Sequence, residues 1–371
     1  MFKKKFFFIF LISILPVVFL LLVDFIITKS FFPNNTNAVI EKKSLHRISH
    51  PTFHHNLKSN INIIEDYGKF GKKKLVTNSF GFRDKKIREI KNTIDKKRII
   101  LIGDSFTEGV LLNYEDTYAG LIDDYFSKKN IQVLNAGLSS YSPSIYYAKI
   151  KYLIEVKKIN FDELVVFLDM SDIWNEATSY TSKIDDDTEF SVKDKKHTSF
   201  KEHTSIFLNK NFYGTYIIVN FVHDYIKNSK NNSVDNFIKW AVSNDHKLDK
   251  WPINKKLYNE YGVDGLKKAE KYMIKLIEMT KRHEIKTTIV VYPWISNIYY
   301  NDLNSKHVEF WRKFSIRNNI KFINLFPLFV KEKRNSKENL EFIKTHFIPY
   351  DIHYNNNGHI LIFNGFVSSY K

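Results

Sequence analysis

The stretch Arg98-Ile99-Ile100-Leu101-Ile102-Gly103-Asp104-Ser105-Phe106-Thr107-Glu108-Gly109 decides the fold. Its first half is an apolar run without alternation, the pattern of a strand covered on both faces. Its second half opens on a glycine, an acid and a hydroxyl, the residues of a tight turn into a helix. The same rhythm recurs downstream. Ile131–Leu134, Glu163–Asp169, Lys286–Tyr292 and Lys321–Leu325 read as further strands. Helical spacing fills Thr117–Ser127, Ser144–Lys157, 264–283 and 304–318. Strands alternating with helices predict an α/β fold of three layers, α/β/α, around a roughly five-stranded parallel sheet, flavodoxin-like in its alternation. In such sheets sites form beyond the C-terminal ends of the strands.

Working outward, residues 178–262 break the rhythm. They carry the acidic run Asp185-Asp186-Asp187 and Lys- and Asn-rich segments, with Phe212–Ile226 a candidate helix. We read an insertion, a lid or docking surface, between strands three and four. Toward the N-terminus, residues 31–95 read as a tether and lead-in. His46, His50, His54 and His55 lie in it at a spacing that fits no helical ligand pair, and they read as solvated loop histidines rather than a metal site.

The chain begins Phe2-Lys3-Lys4-Lys5 and then runs apolar from Phe6 to Ile27, broken only by Ser13, Pro16 and Asp24. About 20 helical residues cross a bilayer core, and a cleavable signal has a shorter apolar centre. No A-x-A-like site follows. Residues 1–30 therefore read as a cytoplasmic stub and transmembrane anchor, in preference to a cleaved signal or a buried helix, and 96–371 as the α/β domain. Asp24 is near enough to the far end to reach the interface. The Lys3–Lys5 triplet favours a cytoplasmic N-terminus and a body on the outer side.

Composition sets the outer bounds. The 371 residues contain 57 Lys+Arg, 40 Asp+Glu and no cysteine, a formal charge of +17. Zero cysteine excludes disulfides, thiolate metal sites and cysteine nucleophiles. The lysines are scattered, without an Arg-rich stripe, so we read a solvated basic surface and no nucleic-acid partner. Membrane phosphate or an acidic glycan is the anionic partner such a surface would fit.

Four short elements carry chemistry. Ser105 stands at the end of the first strand, where a hydroxyl is exposed at the mouth of the sheet and the following amides can face an anion. Asn135-Ala136-Gly137 follows the second strand, Asp169-Met170-Ser171-Asp172 the third. Near the C-terminus is Asp351-Ile352-His353, in which the carboxylate can hold one imidazole nitrogen and leave the other free as a base. Each element has a plainer reading by itself: a helix cap, a turn glycine, a surface pair.

Together, in this order, they resemble the SGNH (GDSL-type) hydrolase superfamily, with Asn78-Ser79-Phe80-Gly81-Phe82-Arg83 similar to the segment ahead of the first block in bacterial members. The resemblance covers roughly 78–371. It implies Ser105 as nucleophile, His353 as general base and Asp351 as its orienting partner, with an oxyanion held by the amides of Ser105 and Gly137 and no cofactor. The sequence departs from the family at two places. Ser171 stands where the family has an oxyanion Asn, so either its hydroxyl serves there or it caps a turn with Asp172. The last block is Asp-x-His, as in the subset resembling membrane-anchored polysaccharide O-acetyltransferases. The implied function is acyl-ester chemistry, esterase or O-acyltransferase, on an envelope carbohydrate, with a membrane acyl-donor protein as a further partner. The alternative is a catalytically inactive SGNH-like module that binds glycan or a partner protein.

Overall fold

The structure is a computed structural model and describes residues 2–32, 46–185, 189–194, 200–230, 233–244, 246–333 and 339–370. The expected sheet is present. Its strands are β1 (Arg98–Ile102), β2 (Gln132–Asn135), β3 (Glu163–Leu168), β4 (Lys286–Val291) and β5 (Lys321–Asn324), all parallel, in the order β5-β4-β3-β1-β2. From β2 at one edge the chain crosses β1 to lay down β3 on its other side. The C-terminal end of β1 is therefore the switch point at which α/β sheets open a crevice.

Both faces of the sheet are covered, which explains the unbroken apolar runs. Ile100, Ile102, Leu134, Leu164, Val166 and Val291 pack into one core with residues of the helices Pro143–Glu155, Val263–Arg282 and Lys306–Asn318. Ile99, Leu101, Val133, Val165, Phe167 and Val290 face the other way, onto Tyr118–Ser127 and Asn356–Ser369. Side chains alternate across each strand, so two cores need apolar residues at every position.

Two expectations are corrected. Residues 46–76 are no loose tether. Arg47–His50 pairs with His54–Leu57, and Asn62–Asp66 with Lys72–Val76, as antiparallel hairpins, with Phe53, Leu57 and Leu75 buried in the first core. Residues 178–262 are no single insertion. The hairpin Tyr180–Asp185/Glu189–Asp194 and residues from Ser233 onward belong with the sheet, whereas the helices Phe200–Asn211 and Tyr213–Lys230 group with the N-terminal helix α1 (Phe2–Phe31) as a separate unit. Asp186 and Asp187 lie outside the described residues. Of the described helices, α1 alone is long and apolar enough to cross a membrane.

Candidate active site

β1 ends at Ile102, and past Gly103 and Asp104 the chain turns at once into the single helical turn Ser105–Glu108. Asp104 caps that turn by accepting the Phe106 N–H, and Gly109 ends it at φ 77°. The turn is too tight for side chains on its inner wall. A Cβ on Gly103 would lie 2.0 Å from Thr107 Oγ1, and one on Gly137 2.6 Å from the Thr107 side chain. The two glycines thus bring the ends of β1 and β2 against Thr107, with Ser105 at the rim.

The last loop brings the other two members of the expected triad to it. His353 Nε2 lies 2.8 Å from Ser105 Oγ, and Nδ1 lies 2.5 Å from Asp351 Oδ1. The same carboxylate oxygen accepts the His353 backbone N–H at 2.9 Å, so one local turn fixes the ring and its partner together. Burial raises the Asp351 carboxyl, but hydrogen bonds and charge from His353 outweigh it and hold Asp351 below its ordinary value. The Phe106 ring packs on the imidazole, centroids 4.7 Å apart. With Nδ1–H donating to Asp351, Nε2 is the nitrogen left to accept the serine proton.

The expected oxyanion donors fare differently. Ser105's amide is at the first helical position, where no carbonyl of its own helix can accept it. The Gly137 N–H instead donates to Asn135 Oδ1 at 3.1 Å, and Asn135 Nδ2 donates to Thr107 O at 2.7 Å. Ser171 is bound to the cap of its own helix, Asp169. Its hydroxyl donates to Asp169 Oδ1 at 2.8 Å, and its amide to the same oxygen at 2.7 Å. Asp169 and Asp172 form the capping box at the start of Met170–Thr178, and Ser171 lies between them. A serine is short enough to fold back onto its own N-cap, and that local bond wins over the site.

Behind Ser105 the carboxyls of Asp104, Asp169 and Asp172 converge, with one oxygen of each within 4.8 Å of the others. Protein donors already engage them: Phe106 N–H on Asp104, Trp294 Nε1–H on Asp169 and Tyr146 O–H on Asp172. Burial, then the Asp169 charge, pushes Asp104 and Asp172 well above the carboxylate range.

Sequence reading missed the clamp on the turn. Arg47 reaches both oxygens of Glu108, the shorter contact 2.5 Å, and Glu108 also accepts the Ser139 N–H at 2.8 Å. Burial raises Glu108, but the charge and bonds of Arg47, with Ser139, prevail and hold it down to about 2. Arg83 donates to the carbonyls of Glu108, Gly109 and Leu112, fixing the loop beyond. The histidines of this region are packed rather than solvated. His46 bonds Glu65 at 3.0 Å, His50 stacks on Phe53, and His55 bonds Ser139 O at 2.8 Å.

No protein-family model and no curated protein matches this chain. Solved structures do. A psychrotrophic esterase, EstA, from Pseudoalteromonas sp. is 13% identical over 74% of this chain and 97% of its own, TM-score 0.38. The acetyl xylan esterase AlAXEase is 17% identical over 73% and 98%, TM-score 0.41. The acetylxylan esterase Axe2 from Geobacillus stearothermophilus is 11% identical over 75% and 96%, TM-score 0.40. Likeness at this level does not bear on chemistry, which is read from this chain's own site.

Proposed function

We propose that the chain is an SGNH-type serine enzyme acting on acyl esters. The observation that supports this best is the unbroken Asp351–His353–Ser105 relay at the switch point of the sheet. Ser105 Oγ attacks the acyl carbonyl while His353 Nε2 takes its proton. The ester C–O bond then breaks, and His353 returns that proton to the departing alkoxide. Asp351 holds the imidazole tautomer and offsets the imidazolium charge. The acyl-Ser105 ester is cleared by water in an esterase, or by a sugar hydroxyl in an O-acyltransferase, with His353 again the base. An acylated or acceptor carbohydrate of the cell envelope is the substrate this reading favours. The N-terminal helix would hold the protein in the membrane with its body on the outer side, within reach of that glycan and of a membrane acyl donor.

A second reading, an inactive glycan- or partner-binding module, draws on one observation: the Gly137 amide and the Ser171 hydroxyl are both taken up within the protein. A fluorophosphonate probe separates the two. Full-length protein in detergent should label at Ser105, and Ser105→Ala and His353→Ala should each abolish labelling and acetyl-ester turnover while leaving the melting temperature within a few degrees. An unlabelled wild-type protein, correctly folded, would favour the binding module.

A further inference from the structure

The unit formed by α1 and the helices Phe200–Asn211 and Tyr213–Lys230 has a feature that a water-soluble hairpin does not need. The first amides of any helix lack intrahelical acceptors, and in water the solvent takes them. Here the anchor takes them. Tyr213 N–H donates to Thr28 Oγ1 at 2.9 Å, Gly214 N–H to Asp24 Oδ1 at 2.9 Å, and Thr215 N–H to Asp24 Oδ2 at 2.8 Å. The Thr215 hydroxyl adds a bond to Asp24 at 2.7 Å. Asp24 is the one acidic residue of the apolar span, and the positive end of a helix dipole meets it. Gly214 permits the approach, since a Cβ there would lie 3.0 Å from Asp24 Oδ1.

Beyond this polar knot the second helix is largely apolar and uncovered as far as Val222, after which come His223, Asp224, Lys227 and Lys230. Ile217, Ile218, Val219, Phe221 and Val222 are between 47% and 71% exposed, continuous with the exposed apolar surface of α1 at Val17, Leu20 and Leu21. Ile217 and Ile218 line a groove of about 560 Å³ with Val17, Leu20 and Leu21. The apolar segment, Tyr213–Val222, is too short to span a bilayer but long enough to lie in one. Phe25 packs on Phe212 and Phe32 on Tyr213, so the aromatic residues collect where the helix meets the end of the anchor. Beside them Lys29 Nζ donates to the Lys210 carbonyl at 3.1 Å.

We infer that Tyr213–Val222 is a second membrane-seated element, an apolar helix that enters the hydrocarbon beside the anchor, with Asp24 and Thr28 closing its N-terminus at the hydrocarbon's edge. This inference rests on α1 being a membrane anchor. A lipid occupant accounts at once for the exposed apolar face, its continuity with the span and the internal satisfaction of the helix start, because unsatisfied backbone groups are excluded from hydrocarbon.

The chain has no cysteine, so single cysteines can be placed at will in the full-length protein. Nitroxide labels at Ile218→Cys, Phe221→Cys, Leu20→Cys and Lys128→Cys, in phosphatidylcholine vesicles, report collision with oxygen against a water-soluble nickel chelate. Oxygen should be favoured at positions 218 and 221 as at 20, and nickel at 128. Oxygen-favoured collision at 20 with nickel-favoured collision at 218 and 221 would overturn the inference and leave the anchor standing. Shielding of 218 and 221 from both reagents would mean that protein covers them, a second copy included, and would overturn it too. A nickel-favoured Leu20 label would remove the anchor and this inference together.

Discussion

At the scale of single residues, the candidate site turns on where short side chains spend their hydrogen bonds. The Ser171 hydroxyl donates to Asp169, the N-cap of its own helix. Ser171→Ala should then cost about 1 kcal/mol of stability and leave the rate of fluorophosphonate labelling nearly unchanged. Chemical denaturation and labelling kinetics read the two effects separately, and a hundredfold loss of rate with unchanged stability would put the hydroxyl back in the site. The Asp351–His353 pair, by contrast, was legible because its geometry is local. An Asp two residues before a His can accept both the backbone and the ring N–H of that His, which Asp351 does. Where the Gly137 amide and the Ser171 hydroxyl donate was not legible, for the converse reason. Each sits at the right strand end, but which acceptor captures its proton depends on neighbours that spacing does not reveal.

At the scale of elements, β1 to β5 could be read from apolar runs because a doubly covered strand leaves no polar residue to interrupt the pattern. The hairpins of residues 46–76 could not, since they lie on the flank of the domain with half-exposed, polar strands. Their contribution to the site is the Arg47 side chain, which carries the first hairpin onto the turn that holds Ser105. Glu108 is buried, so removing Arg47 strands a carboxylate. Arg47→Met should destabilise the domain by roughly 3–5 kcal/mol, the usual result of orphaning one member of a buried pair. The double variant Arg47→Met/Glu108→Gln should recover a large part of that loss, because the stranded charge is gone. Tryptophan fluorescence during urea unfolding measures both. Equal destabilisation of single and double variants would mean that Arg47 acts only by filling space.

At the scale of the whole molecule, the charge of +17 says little about where protons matter. The informative groups are those the fold keeps uncharged. Lys149 is buried, and its ammonium finds only neutral acceptors: Ala136 O at 3.0 Å, Tyr141 Oη at 3.1 Å and Asn56 Oδ1 at 3.2 Å. It also faces the rings of Phe82 and Tyr141, 4.9 Å and 4.8 Å from their centroids. Burial lowers its pKa from 10.5 to about 7, against a smaller upward pull from Glu108. Between those two values the unfolded chain holds a proton that the folded chain has released. Stability contributed by this group therefore rises with pH across that window, by up to about 1.4 kcal/mol per pH unit, and its full penalty is present below pH 7. Buried tyrosines such as Tyr118 and Tyr146, held protonated by burial, reverse the trend only where the unfolded chain ionises, near pH 10. The clean interval is thus pH 7 to 9.5. There the melting temperature of the wild-type protein should climb, and that of Lys149→Met should stay nearly flat after the general relief of charge repulsion common to both is subtracted. Parallel curves would mean that Lys149 stays charged in the folded protein, so that its neutral acceptors and aromatic rings suffice to hold an ammonium in the core.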